Sequence, residues 1–489
     1  MPHETDAEKI ARLERQNQQL QQENERLKQQ IQRLERALEE ALRAGKRQAA
    51  PFARRTLKAN PQTPGRKAGA CYGRSAYRAV PTEFDETIEV ALPNHCPHCG
   101  GMVEETGEVV EQYQTEIPEP RVEHIRFRIF RGYCRHCGRP VQGRHPRQTS
   151  NAVGSAASQL GPRAIALATQ LDKGLGLSHE KTAALLEAAF GLQVSRGGLC
   201  QAFHRMARKA EPTYQALIEH IRQSPCVTPD ETGWKVRARL WWLWAFASSE
   251  VTVYSIQPGR GFAQAAAILG ADFAGFLIHD GWIIYLQFQK ALHQTCLAHL
   301  LRRCAEMIEL ASPCAAGFPQ TIQVLLRYAL ELRDRRDAGQ ISEHGLAVAR
   351  GQLEARLERA WRPLFRCPAN ERLAKHLHFH RDLLLTFLYF QGLEATNWRA
   401  EQALRPAVVA RKVWGGNRTP AGAHTQEVLL SVLRTCRQQR RSWLTVLVPM
   451  LCSPVRKSWN LIQSDRSPPL SAALHPSSPT AVALRAEVA

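Results

Sequence analysis

The sequence predicts a multidomain α+β chain: an N-terminal coiled coil, a zinc ribbon-like module, a helical region of helix-turn-helix type, and an α/β core carrying a helical insertion. Three observations carry this. Residues 7–43 repeat apolar or Asn residues at heptad spacing, two Cys-x-x-Cys pairs follow, and from Thr228 three strand-like runs precede a helix and a short apolar strand tipped by an acid. At 489 residues the chain has room for two to four domains and at least one sizeable core.

Charge and cysteine usage narrow the function class. Lys and Arg number 65 against 45 Asp and Glu, a formal charge of +20, so a polyanionic partner is expected. No apolar run of about 18 residues is present to span a bilayer, and the start lacks a signal-peptide core, which together point to the cytosol. Thirteen Cys in such a setting suit reduced thiols and metal ligation better than a disulfide framework.

The heptad seam runs Ile10, Leu13, Asn17, Leu20, Asn24, Leu27, Ile31, Leu34, Leu38. Leu falls at d and Ile or Asn at a, the choice that favours a parallel dimer, with Asn17 and Asn24 giving up stability for register. Residues 44–81 form a basic linker rich in Arg, Lys, Gly and Pro, suited either to phosphate contact or to simple solvation. In residues 90–145, the pairs Cys96/Cys99 and Cys134/Cys137 each turn around a Gly that follows the second cysteine, a four-thiolate set that suits structural zinc, with a redox pair the rival. Strand-like stretches at Val109 to Gln114 and His124 to Arg131 would form a ribbon between the pairs. Because a zinc site is not preformed in the unfolded chain, metal removal should unfold the module.

Residues 155–222 read as helical, broken at Gly174 to Ser178 and at Gly191 to Ser195. Ser195 can cap a helix from Arg196 to Ala210 that displays Arg196, Gln201, His204, Arg205 and Arg208, suited to reading DNA or to plain packing. The core, residues 225–445, begins with a strand that Asp230 and Glu231 open, and the turn Ser248-Ser249-Glu250 comes after the second. A helix from Ala263 to Leu269 and a strand from Gly275 to His279 follow, then Asp280 and Gly281. In a ribonuclease H-like sheet the first strand and the strand after the first helix are neighbours, so Asp230 and Asp280 would face one another; each acid alone equally suits a cap or turn. Glu231 should point to the opposite side of its strand.

His293 to Cys304 reads as a strand running into a helix; Cys296 and His299 have the spacing of a metal pair, but with no second pair in the sequence they fit better as a packed thiol and an ordinary polar histidine. Residues 305–390 have helical periodicity and form the insertion. A helix then starts at Thr396 or Asn397 and should stop before Pro406, with Glu401 and Arg405 on one face. The Gly415-Gly-Asn-Arg418 turn suits a phosphate or a simple loop, a helix follows from Thr425 to Gln438, and residues 465–489 read as a disordered tail.

Asp-Glu-Thr-Gly-Trp at 230–234, His-Asp-Gly-Trp at 279–282, Cys-Leu-Ala-His-Leu-Leu-Arg-Arg at 296–303 and Thr-Asn-Trp-Arg-Ala-Glu-Gln-Ala-Leu-Arg-Pro at 396–406 resemble a bacterial DDE transposase of the insertion sequence 66 family. The resemblance covers roughly residues 10–445. It implies a ribonuclease H-like catalytic core whose Asp, Asp, Glu triad falls on Asp230, Asp280 and Glu401, binding magnesium or manganese. Only the motif singles out Glu401 among the many acids after Asp280. Beside it, Trp398 and Gln402 stand where the family usually carries Asn and Arg.

The resemblance further implies two-metal strand cleavage and strand transfer. Arg405, Arg411, Lys412 and Arg418 are candidates to neutralise phosphate, alongside Arg196 and Arg205 in the helical region. Its expected partners are element ends and target DNA, a second copy or higher oligomer through the coiled coil, and helper proteins of the same element, all at the cytoplasmic nucleoid. The alternative is a non-catalytic DNA-binding repressor or an inactive remnant.

Overall fold

A computed structural model describes residues 16–27, 29–31, 78–154, 158–310 and 313–462. The chain divides into two units, Met1–Pro118 and Glu119–Ala489. In the first, helix α1 covers residues 16–27 and 29–31, with Leu20, Leu27 and Ile31 exposed in the single chain. The rest of the expected coiled coil, the linker up to residue 77 and the tail from 465 lie outside the described residues. No strand forms at Val109 to Gln114; Val109 and Val110 are exposed, and an extended run without a partner strand leaves its backbone to water.

In the second unit, β1 (Arg131–Tyr133) and β2 (Pro140–Gln142) make a short antiparallel ribbon around Cys134 and Cys137. This is all that forms of the expected His124 to Arg131 strand. Helix α2 (Pro162–Thr169) continues into a π-helical turn (Gln170–Gly174), and α3 (His179–Phe190) starts where Ser178 Oγ accepts the Lys181 N–H. It stops at left-handed Gly191, and Ser195 Oγ then accepts the Gly198 N–H to open α4 (Arg196–Gln223). Helix α4 runs on through Pro212 instead of ending near Ala210. Its stripe Leu199, Phe203, Met206, Ala210, Tyr214, Leu217 and Ile221 is buried, while the Arg208 carbonyl that Pro212 cannot serve belongs to an exposed residue.

The main sheet holds β3 (Cys226–Val236), β4 (Arg239–Ala247), β5 (Thr252–Gln257), β6 (Phe276–His279) and β7 (Leu292–Thr295) in the order β5-β4-β3-β6-β7. The first three pair antiparallel; β6 joins β3 in parallel, and β7 joins β6 in parallel. The β3–β4 turn is Arg237-Ala238, both at positive φ (52° and 60°), without the Asn or Gly that usually signals it. The Arg237 N–H, donated to the Asn417 carbonyl at 3.1 Å, helps hold it. Asp230 therefore sits within an 11-residue strand instead of opening it.

One face of the sheet buries Trp244, Phe246 and Val253 with α4 and with α5 (Phe262–Leu269), which links β5 to β6. The other buries Trp234, Leu243, Ala245 and Ile256 against α11 (Trp398–Trp414) and α12 (Pro420–Gln438). After α6 (Leu297–Leu310) the insertion consists of α7 (Pro313–Asp337), α8 (Glu343–Trp361), α9 (Pro368–Phe379) and α10 (Thr386–Tyr389). Leu326, Leu353, Leu357, Leu373 and Phe387 pack in one cluster with Phe276 and Ile278 of β6 and Leu297 and Leu300 of α6, which fastens the insertion to the sheet.

Helix α11 does not stop before Pro406 but passes through it for 17 residues. The Gln402 carbonyl freed by proline is on an exposed residue, and Tyr254 Oη donates to the next carbonyl, Ala403, at 2.6 Å. The core also extends past residue 445. Helix α13 (Trp443–Cys452) packs on α2 and α4, and Leu461 is buried with it. Among the described residues no helix is long and apolar enough to cross a membrane.

Candidate active site

Asp230 lies on β3 opposite Ala245 of β4, on the face covered by α11. Asp280 directly follows β6, which runs parallel beside β3 with Cys226 and Val227 paired to Phe276 and Leu277. Glu401 stands in the first turn of α11, where the helix dipole favours a carboxylate. Burial raises the Asp230 carboxyl to about 7, with the negative charges of Glu231, then Asp280 and Glu401, adding to it. The three acids thus share one electrostatic field. The Asp230 and Asp280 carboxylates accept the backbone N–H groups of Glu231 and Trp282, each at 2.9 Å. Gly281, at φ 90°, has a close neighbour from the insertion: a Cβ there would meet the His376 ring at 3.3 Å.

Glu401 is held from α6. His299 Nε2 lies 3.2 Å and Arg302 Nη2 3.5 Å from its Oε1. His299 Nδ1 is buried without a partner among the described residues, as are both amide atoms of Asn397. The Asn397 N–H donates to the buried Cys296 Sγ at 3.3 Å, and the Leu297 N–H to the Ala395 carbonyl at 3.0 Å, so the 296–303 and 396–406 motifs lock together. Burial pushes the Cys296 thiol up, in keeping with a packed thiol. Among the described residues no three His, Cys, Asp or Glu side chains are drawn together tightly enough to hold a metal ion.

Glu231 does point to the opposite face, level with Trp244, but it is far from idle there. Its side chain is only 2% exposed. Oε1 accepts both Nε and Nη2 of Arg260 at 2.9 and 2.6 Å, and Oε2 accepts the Tyr285 hydroxyl at 2.6 Å. Burial raises the Glu231 carboxyl, and these donors pull it back.

Of the basic residues expected at phosphate, Arg405, Lys412 and Arg418 are exposed. Arg411 is spent on the sheet: its Nη1 donates to the Gly233 carbonyl and, at 3.2 Å, to Thr232 Oγ1. The glycine turn is docked against the end of β3. A Cβ on Gly416 would come within 2.4 Å of the Lys235 carbonyl oxygen, while Asn417 Oδ1 accepts Trp234 Nε1–H at 2.8 Å. On α4, Arg205 is half-buried and Arg196 is exposed, 3.9 Å from Glu180.

The two Cys-x-x-Cys turns repeat one geometry. Gly100 N–H donates to the Cys96 carbonyl, and Gly138 N–H to the Cys134 carbonyl, both at 2.8 Å. In each, backbone N–H groups of the next residues (His98 and Cys99; Cys137 and His136) lower the thiol pKa of the first cysteine.

Sequence reasoning did not place His299, Arg302, Arg260, Tyr285 or Trp282 against the acids. For the first two a signal existed: they are three apart on a helix and so share a face. Arg260 meets Glu231 across 29 positions of chain, which no local pattern announces.

The family described as Transposase IS66 family matches the chain over residues 157–425, more than half its length and including all three acids. No curated protein matches it.

Proposed function

The chain belongs to the IS66 family of transposases, and on that premise we propose that it cuts and joins DNA strands at the ends of a bacterial insertion sequence, using Asp230, Asp280 and Glu401. A transposase acts on DNA, and the +20 charge suits that partner. The observation that carries the proposal is the convergence of three acids from separate elements on one place: burial and the Glu231 charge raise Asp230 to about 7, and the charges of Asp280 and Glu401 reach it and add to that shift. The sheet order supports it: a first strand with an antiparallel meander on one side and two parallel strands on the other is the order of a ribonuclease H-like core.

By its chemistry the donor set suits magnesium or manganese: it consists of carboxylate oxygens, and a divalent cation that drew Asp230, Asp280 and Glu401 together would relieve their mutual repulsion. Bound there, such ions supply Lewis acidity toward the phosphate and lower the pKa of water. His299 and Arg302 orient Glu401. Arg405, Lys412 and Arg418 offer exposed charge to the DNA backbone, Arg196 and Arg205 do so from the helical region, and Arg411 acts mainly as a brace on β3. Cys96 and Cys99, and likewise Cys134 and Cys137, would be ligands of structural zinc, their N–H-supported turns favouring the thiolate that zinc takes. Metal analysis of the purified chain should find that zinc, and Cys134→Ser should lose it. Residues 7–43 would pair two copies, proteins of the same element are further candidate partners, and the work would be done at the cytoplasmic nucleoid.

The test is nicking and joining of a labelled duplex bearing the element's own ends, with magnesium. Asp230→Asn, Asp280→Asn and Glu401→Gln should each lose product while still binding DNA. Product persisting in one variant removes that acid from the site. Salt-dependent binding by the wild type without any cutting would instead favour a repressor.

A further inference from the structure

The group around Arg260 is more elaborate than an ion pair requires. The guanidinium carbon lies 3.9 Å from the ring centroid of Trp282 and 4.7 Å from that of Trp242, so two indoles and the buried Glu231 hold it. Much of the rotamer ordering cost that an arginine side chain would otherwise meet on binding is therefore already met by the fold. Only one side of the guanidinium is used. Nε and Nη2 are committed to Glu231, whereas Nη1 has no partner among the described residues and the side chain is 38% exposed. That leaves the outer fork of an always-charged, immobilised arginine facing outward, the donor geometry that suits two oxygens of a phosphate.

Its supports tie this fork to the candidate site. Glu231 is the chain neighbour of Asp230, and the backbone N–H of Trp282 is donated to Asp280 at 2.9 Å. Glu231 and Trp244 share the sheet face opposite the one α11 covers, and Trp282 stacks on Trp244 at 6.3 Å. Arg260 therefore belongs to the side of the site away from Glu401.

We propose that Arg260 is a DNA-positioning residue that grips one backbone phosphate flanking the cut position, on the side of the carboxylates opposite Glu401. The inference rests on the proposed transposase site. Glu231, Trp242 and Trp282 serve as the socket that aims the guanidinium, and Tyr285 fixes Glu231 from behind.

The experiment measures equilibrium binding of the full chain to a duplex bearing the element's terminal repeat, with a single neutral methylphosphonate walked through each backbone position near the cut. Wild type should lose about tenfold in affinity at one position, the size expected for one charge-assisted hydrogen-bonded contact. Arg260→Ala should bind the unmodified duplex about tenfold more weakly and show no further loss at that same position, with the profile elsewhere unchanged. Arg260→Lys, which keeps the charge and the stacking stem, should fall between and guards against a folding defect. An Arg260→Ala profile that drops evenly at every position, or one identical to wild type, would overturn the proposal. Nicking of the same unmodified duplex with magnesium, run in parallel, tests the carboxylate site separately: a chain that cuts but fails the phosphate walk refutes Arg260 alone.

Discussion

Asp230 and Glu231 are neighbours on one strand, and the two faces of the sheet treat them in opposite ways. On the face covered by α11, the Asp230 carboxylate receives a single backbone N–H, and burial together with the charges of Glu231, Asp280 and Glu401 raises it to about 7. On the other face, Glu231 is buried and accepts three hydrogen bonds from Tyr285 and Arg260, whose guanidinium in turn packs against two indoles. Proximity to the candidate site is thus not what would make an acid available to a metal. Availability depends on whether the lone pairs are already spent on fixed donors.

The largest test of this contrast is Asp230→Asn. Nicking should fall by roughly a thousandfold, the upper end of what losing one preorganised charged group costs. The urea midpoint of the metal-free protein should hold or rise, because a carboxyl that burial disfavours has been removed. A matching collapse of stability would show that Asp230 is structural. Next comes His299→Gln. It loosens Glu401 without removing it, and rates at limiting magnesium should fall about 10- to 100-fold, with partial recovery as magnesium is raised.

Glu231→Gln should invert the Asp230 pattern. We expect about 1–3 kcal/mol of lost stability from the disturbed Tyr285 and Arg260 bonds, and a loss of nicking no greater than about tenfold. If Glu231→Gln abolished nicking while leaving stability intact, the roles of the two acids would have to be exchanged.

The smallest effect lies at the edge of the Asp230 face, where α12 supports β5. Glu427 Oε2 accepts the Ile256 N–H at 2.6 Å, and its other oxygen contacts His424, which also reaches Glu211 at 2.9 Å. Hydrogen bonding to Glu427 raises His424 to about 9, despite the opposing effect of burial. Since the folded value exceeds the unfolded value near 6.5, this support is fully present below about pH 6.5 and is lost as pH rises through about 9. Urea midpoints should therefore decline over that window, and His424→Gln should flatten the decline.

Much of the fold was legible because it follows short-range chemistry. Serine caps and left-handed glycine bounded α3 and α4, an apolar run marked β4, polar-apolar alternation marked β5, and an apolar strand ending in an acid placed Asp280 beside the sheet's first strand. The misjudged points are places where packing overrode a local rule. Pro212 and Pro406 sit inside helices whose buried faces hold them together, and the Arg237-Ala238 turn takes left-handed angles with help from Asn417.

The sequence by itself determined the elements, their order and the family motifs that single out Asp230, Asp280 and Glu401, because periodicity, capping and motif spacing are written along the chain. Only the tertiary structure decided that Arg260 closes Glu231, that His299 and Arg302 hold Glu401, and that Arg411 braces β3. Those assignments depend on which distant side chains meet and how many donors each carboxylate receives, quantities with no local signature.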